Sequence, residues 1–174
     1  MSVFPEHELQ TIPQPEDSSV KEVFSFFGLC MYNAQVLERG IINLTVGLRV
    51  KNLTKITSEE IDHLFDKSGS KTLGQLIFDL RKKHKVSKDF EDSLMKAKDH
   101  RNYIAHSFFY HHSSNFLSDT GRSEMIQELR KISGSFHTLD RSIDKITHKL
   151  WEKLGITKEM VDAELEKMKS ESDE

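Results

Sequence analysis

Residues 125–150 read MIQELRKISGSFHTLDRSIDKITHKL, and Met125, Leu129, Ile132, Phe136, Leu139, Ile143, Ile146 and Leu150 step through them by four and three. That alternation keeps one apolar side chain per turn on a single stripe of a long helix. A stripe of this length has to be covered. Other apolar helices in the same chain are available to cover it, so the pattern predicts a bundle seam rather than a free coiled coil.

Upstream, a second long stripe runs through Val20, Phe24, Phe27, Met31, Ala34, Leu37, Ile41, Leu44 and Leu48. It predicts a first helix from a cap at Asp17, Ser18 or Ser19 to about Lys51. Gly28, Gly40 and Gly47 each cost such a helix about 1 kcal/mol relative to alanine, which points to close helix approach or a bend. Ser58-Glu59-Glu60-Ile61 opens a brief helix to about Asp66, and Lys67-Ser68-Gly69-Ser70 reads as a loop. Thr72 to His84 forms the next helix through Leu73, Leu76, Ile77 and Leu80. Another is expected over 87–112, with Phe90, Leu94, Ala97, Ile104 and Phe108 as its apolar positions. Ser113 to Gly121 lacks periodicity and reads as the longest internal loop. Gly155 ends the long helix, Thr157 caps a last one, and the chain frays from Ser170.

No strand pattern, Gly-rich phosphate loop or internal repeat is visible. The fold class is therefore all-α, a bundle of four main helices plus short accessory helices. Pro5, Pro13 and Pro15 mark an extended N-terminal arm over residues 1–18. The helical body spans 19–155, and a short C-terminal helix with an acidic tail spans 156–174.

At 174 residues the chain can bury a sizeable core without disulfides or metal. Its one cysteine, Cys30, lies in an apolar stretch, as expected of a buried thiol in a reducing compartment. No basic region precedes an apolar run at the N-terminus, and the densest apolar stretch, Val23 to Tyr32, is far short of the ~20 residues of a spanning helix. A cytoplasmic protein without membrane contact is expected. Net charge is −3, yet residues 1–19 carry four acids and no Lys or Arg, and residues 159–174 carry seven acids against two lysines. The body between them is thus net +6. Arg81, Lys82, Lys83, Lys85, Lys88, Lys96, Lys98 and Arg101 crowd toward one segment against Asp89, Glu91, Asp92 and Asp99. Such a surface raises the local concentration of RNA, although a solvated helix end gives the same pattern.

That segment ends in Arg101-Asn102-Tyr103-Ile104-Ala105-His106. Arg101 falls four after Ala97 and three before Ile104, so a guanidinium occupies a seam position, where it needs carboxylates, carbonyls or an anion around it. A break of this kind in a consistent pattern is where function is expected. Residues four apart on a helix lie about 40° apart and residues five apart about 140°. Asn102 and His106 therefore share a face, with Arg101 at its edge. A cation, an amide and an imidazole are the groups that metal-independent cleavage of RNA requires: a base for the ribose 2′-OH and a cation for the phosphorus oxygens. The alternative from the residues alone is an arginine paired with a core carboxylate, beside a surface histidine. Glu38 is a candidate carboxylate, or else a plain surface residue beside Gln35. His100, His106, His111 and His112 fall close together, but nearby cysteines and a His-Glu-x-x-His arrangement are absent, so no metal or other cofactor is expected. Phe108, Phe109 and Tyr110 suit the core or a dimer interface, or could stack on bases.

The run from Arg101 to His106, late on a helix of a small all-helical chain, resembles the HEPN signature, an arginine commonly followed by a polar residue and then a histidine four to six residues on. Ala34-Gln35-Val36-Leu37-Glu38 and Lys71-Thr72-Leu73-Gly74-Gln75-Leu76-Ile77 are also similar to segments of HEPN-type bundles. The resemblance covers roughly residues 20–155. It implies a homodimeric endoribonuclease acting on single-stranded RNA in a toxin–antitoxin or phage-defence setting, with Arg101, Asn102 and His106 as catalytic residues. It equally allows a non-catalytic HEPN-like module that binds a nucleotide or protein, such as an immunity or antitoxin-type partner. Some HEPN toxins carry, two residues after the histidine, a tyrosine that their antitoxin modifies; here that position is Phe108, and Tyr110 lies two further on.

Overall fold

The computed structural model describes residues 12–50 and 55–172. Seven α-helices occur among them: α1 (Val20–Arg49), α2 (Ser58–Gly69), α3 (Leu73–Lys83), α4 (Lys88–His106), α5 (Phe108–His111), α6 (Asp119–Lys153) and α7 (Lys158–Ser172). A 3₁₀ turn, Asn115–Leu117, precedes α6, and no strand occurs among the described residues. The chain is all-α. The first eleven residues of the expected arm, and Lys51 at the expected end of the first helix, lie outside the described residues.

Side-chain caps start most of these helices. Ser19 accepts from the Glu22 amide to begin α1, while Thr57 with Glu60 and Thr72 with Gln75 form reciprocal capping boxes on α2 and α3. Ser87 and Ser118 cap α4 and α6. The core comes from α1, α3, α4 and α6, with Phe108 of α5 added to it. Among the residues whose burial is described, α7 contributes none to the core, and α2 buries only Ser68.

The two longest helices, α1 and α6, run parallel. Ser18 accepts from Arg122 Nε, Asn33 Nδ2 donates to Ser133 Oγ at 2.6 Å, Gly40 meets Asp140, and Gly47 meets Leu150, in that order along both helices. Two of the three α1 glycines serve this approach. A Cβ on Gly40 would lie 2.7 Å from Asp140 Oδ1, and one on Gly47 would lie 2.9 Å from Leu150 Cδ2. Gly28 instead faces solvent. Lodged against α1, the Asp140 carboxyl is pushed up to about 6 by burial, with the neighbouring Asp144 adding to the effect. Helix α4 crosses α1 in the opposite sense, with Phe108 beside Phe27 and Arg101 beside Glu38. What is described of the arm lies along α6, where Pro13 accepts from Arg130 Nε at 3.0 Å.

Several expectations change. Val20 and Phe24 are exposed, because the start of α1 turns its Val23–Phe26–Cys30 stripe inward instead. On α6 the seam holds through Ile143, then passes to Thr147, leaving Ile146 exposed. The expected loop at 67–70 is helical as far as Gly69. Residues 113–121 are not a loop throughout: the 3₁₀ turn folds back on the first turn of α6, so tightly that a Cβ on Gly121 would meet the Asn115 carbonyl oxygen at 2.2 Å. Ser170 to Ser172 belong to α7 rather than to a frayed end. Cys30 is buried as expected, and burial pushes its thiol up to about 12.

Candidate functional site

Helix α4 is anchored by Leu94, Ala97 and Ile104, which are buried and fix its rotation. The expected single helix over 87–112 is broken at Ser107, whose φ of −132° and ψ of −17° close α4 immediately after His106. Phe108 then reaches the core at 1% exposure, and Phe109 packs on Phe27 of α1 with ring centroids 4.9 Å apart. His106 thus stands on the last turn of a helix, at a joint between two elements.

Rotation about α4 sorts the motif. Arg101 does not face the core as its seam position suggests. Its side chain is 35% exposed at the edge facing α1, where Nε lies 3.1 Å from Glu38 Oε1. Glu38 engages Nε only, so the terminal Nη donors remain available to an anion. Asn102 and His106 are exposed on successive turns, about 40° apart around the helix. Tyr103, about 100° beyond Asn102, turns toward α6.

On that α6 side lies a polar group with no local signature in the sequence. Glu128 accepts from His112 Nε2 at 2.8 Å, and the Tyr103 hydroxyl lies 3.2 Å from the same imidazole nitrogen. Burial, then the charge of Glu128, pushes the Tyr103 hydroxyl up to about 12, which keeps it a protonated donor. His111 stacks on the Tyr103 ring at 5.6 Å. His100, one turn earlier, places Nδ1 3.3 Å from Ser135 Oγ and its ring edge-on to Phe136. Burial first, then Lys96, lowers its pKa. The four histidines are thereby divided among separate roles. Among the described residues no group of three or more His, Cys, Asp or Glu side chains could hold a metal ion.

Aromatic residues border the site. Phe24, Phe27, Phe108, Phe109 and Phe116 form a continuous cluster, in which Phe24 is 53% exposed. Tyr110 beside it is 82% exposed, whereas Tyr103 is committed to His112 and Phe108 to the core. No described helix is long and apolar enough to cross a membrane. Compared with family models, curated proteins and solved structures, the chain matches none.

Proposed function

We propose that this protein is a HEPN-type endoribonuclease that cuts single-stranded RNA without a metal ion, acting as a cytoplasmic homodimer in a toxin or phage-defence setting. One observation carries the reading: Asn102 and His106 stand exposed on successive turns of α4 while Glu38 steadies Arg101 at their edge. In the proposed reaction the His106 imidazole removes the proton from a ribose 2′-OH. The freed oxygen attacks the adjacent phosphorus, the bond to the 5′-oxygen breaks, and that oxygen leaves with a proton. The Arg101 Nη donors neutralise the non-bridging oxygens, and the Asn102 amide orients the 2′-OH or the phosphate.

A single histidine supplies one proton-transfer group, and the reaction uses a base and an acid. A two-fold axis near the end of α4 would bring the second copy's Arg101, Asn102 and His106 to the same cleft. The exposed Phe24 and Tyr110, flanking the motif, supply apolar surface for that contact. The test is to incubate the protein with a varied RNA pool in EDTA and analyse the products. Fragments ending in 2′,3′-cyclic phosphate and 5′-OH are expected. Intact RNA with folded wild-type protein would overturn the assignment.

A second reading starts from the same pair: an arginine that Glu38 holds by Nε alone can grip an anion with its Nη donors without any chemistry following. On that reading the same notch belongs to a non-catalytic HEPN-like module that binds a nucleotide or a cognate toxin or antitoxin protein. Arg101-dependent binding without cleavage would select it.

A further inference from the structure

The corner between α3 and α4 is a basic groove with an aromatic side chain standing in it. Phe78, 61% exposed, shares a groove of about 730 Å³ with Arg81, Lys82, His84, Lys85 and Glu91. Glu91 holds the Arg81 guanidinium at 2.6 Å, which fixes one wall. Lys82 and Lys85 are exposed. A phenylalanine left this open is unfavourable against water, and an acidic protein surface would draw on the lysines without needing the ring. A single-stranded nucleic acid uses both: the cations follow its phosphates, and any base stacks on an exposed aromatic face.

We infer that this corner anchors single-stranded RNA, stacking a base on Phe78 and holding the flanking phosphates with Lys82 and Lys85. The inference rests on the RNA reading of the motif and adds where the rest of the substrate is held. Helix α4, 19 residues long, spans about 27 Å from its first residue beside the corner to His106, the length of about eight stacked nucleotides. Between the two points Lys88 and Lys96 are exposed alongside Asp92, and Lys98 pairs with Asp99 at 3.2 Å, so α4 itself sets up no acidic barrier to a strand that reaches both. The corner then acts as a second grip that raises the effective concentration of RNA at the motif. Long substrates benefit and very short ones do not.

The test measures binding of a fluorescein-labelled sixteen-nucleotide oligouridylate to full-length His106→Ala protein, by anisotropy over a salt series. Phe78→Ala is expected to weaken binding about tenfold, as stacking contributes in single-strand binders. Lys82→Gln with Lys85→Gln is expected to lower the slope of log affinity against log salt by about 1.4. In the His106 background, cleavage plays no part in this readout, so it is separable from the proposed activity. Loss of binding in the corner variants supports the inference even if wild-type protein cuts nothing. Wild-type cleavage with unchanged binding and salt slope in these variants overturns it and leaves the endoribonuclease standing. Equal weakening toward a labelled oligoglutamate peptide would also overturn it, by assigning the groove to acidic proteins. With active protein, Phe78→Ala should slow cleavage of the sixteen-mer and leave a dinucleotide substrate unaffected.

Discussion

Glu38 on α1 and Arg101 on α4, 63 positions apart, meet through one carboxylate oxygen and the guanidinium Nε at 3.1 Å. The contact orients the arginine without occupying its terminal donors. Both side chains retain water contact, at 25% and 35% exposure, and a pair in that setting contributes about 0–1 kcal/mol. Arg101→Met is therefore expected to leave thermal stability within about 1 kcal/mol while abolishing RNA cleavage. Glu38→Gln should keep the fold and part of the activity, since the amide oxygen can still accept from Nε. Unfolding of Arg101→Met in a calorimeter would mark the arginine as a structural group.

Complementation between inactive chains tests the proposed shared cleft. His106→Ala alone should abolish cleavage and change stability by less than about 1 kcal/mol, as befits an exposed side chain. Arg101→Ala and His106→Ala chains, co-expressed under different tags and isolated as a mixed dimer, should cut RNA faster than either mutant homodimer. A well-folded mixed dimer with no gain, or a monomer at micromolar concentration, counts against a composite site.

Asp140 makes stability fall as pH rises. Its carboxyl is raised from 3.8 to about 6 in the folded chain, so the unfolded chain ionises first. The stabilisation from the protonated form is complete below about pH 4 and is lost as pH rises through about 6. Asp144, also raised by burial, acts in the same direction. Asp140→Asn should flatten this slope and raise stability at pH 8 by about 1–3 kcal/mol. Urea melts from pH 4 to 8 check it, and an unchanged slope would place the carboxylate in water.

Two glycines give opposite expectations. A Cβ at Gly121 would overlap the Asn115 backbone, so Gly121→Ala should lose about 2 kcal/mol or more and loosen the 3₁₀ turn. A Cβ at Gly134, within α6, meets nothing within 4 Å, so Gly134→Ala should gain up to about 1 kcal/mol from helix propensity. Thermal melts of the two variants suffice.

Legibility in the sequence follows how many neighbours a residue answers to. The α6 stripe from Met125 to Ile143 faces one core, and simple periodicity finds it. At the start of α1 two apolar stripes compete, and only α4, α5 and the 3₁₀ turn packing there decide that Val23 and Phe26 go inward and Phe24 stays out. The break at Ser107 is hidden because Phe108 falls four after Ile104 and extends the α4 pattern. Arg101 is visible as an anomaly, but its partner is not, since nothing local ties it to Glu38. The group of Tyr103, His112 and Glu128 draws on α4, the residue that closes α5, and α6, and has no spacing to detect. The exposure of Asn102 and His106 follows from helical rotation alone, once the core positions of α4 are fixed.

The parallel course of α1 and α6 governs the order in which the chain can be assembled. An antiparallel pair closes through a short turn, but Asn33 meets Ser133 across a separation of 100 positions. During synthesis α1 is complete long before its main partner exists, and its apolar face has only α2, α3 and α4 to shelter against. Closure of this long-range interface is the late and slow event, because the entropy of bringing distant segments together precedes the reward of burying them. The nascent chain therefore depends on the smaller helices twice, as the connection between α1 and α6 and as the temporary cover that keeps α1 from aggregating until α6 arrives.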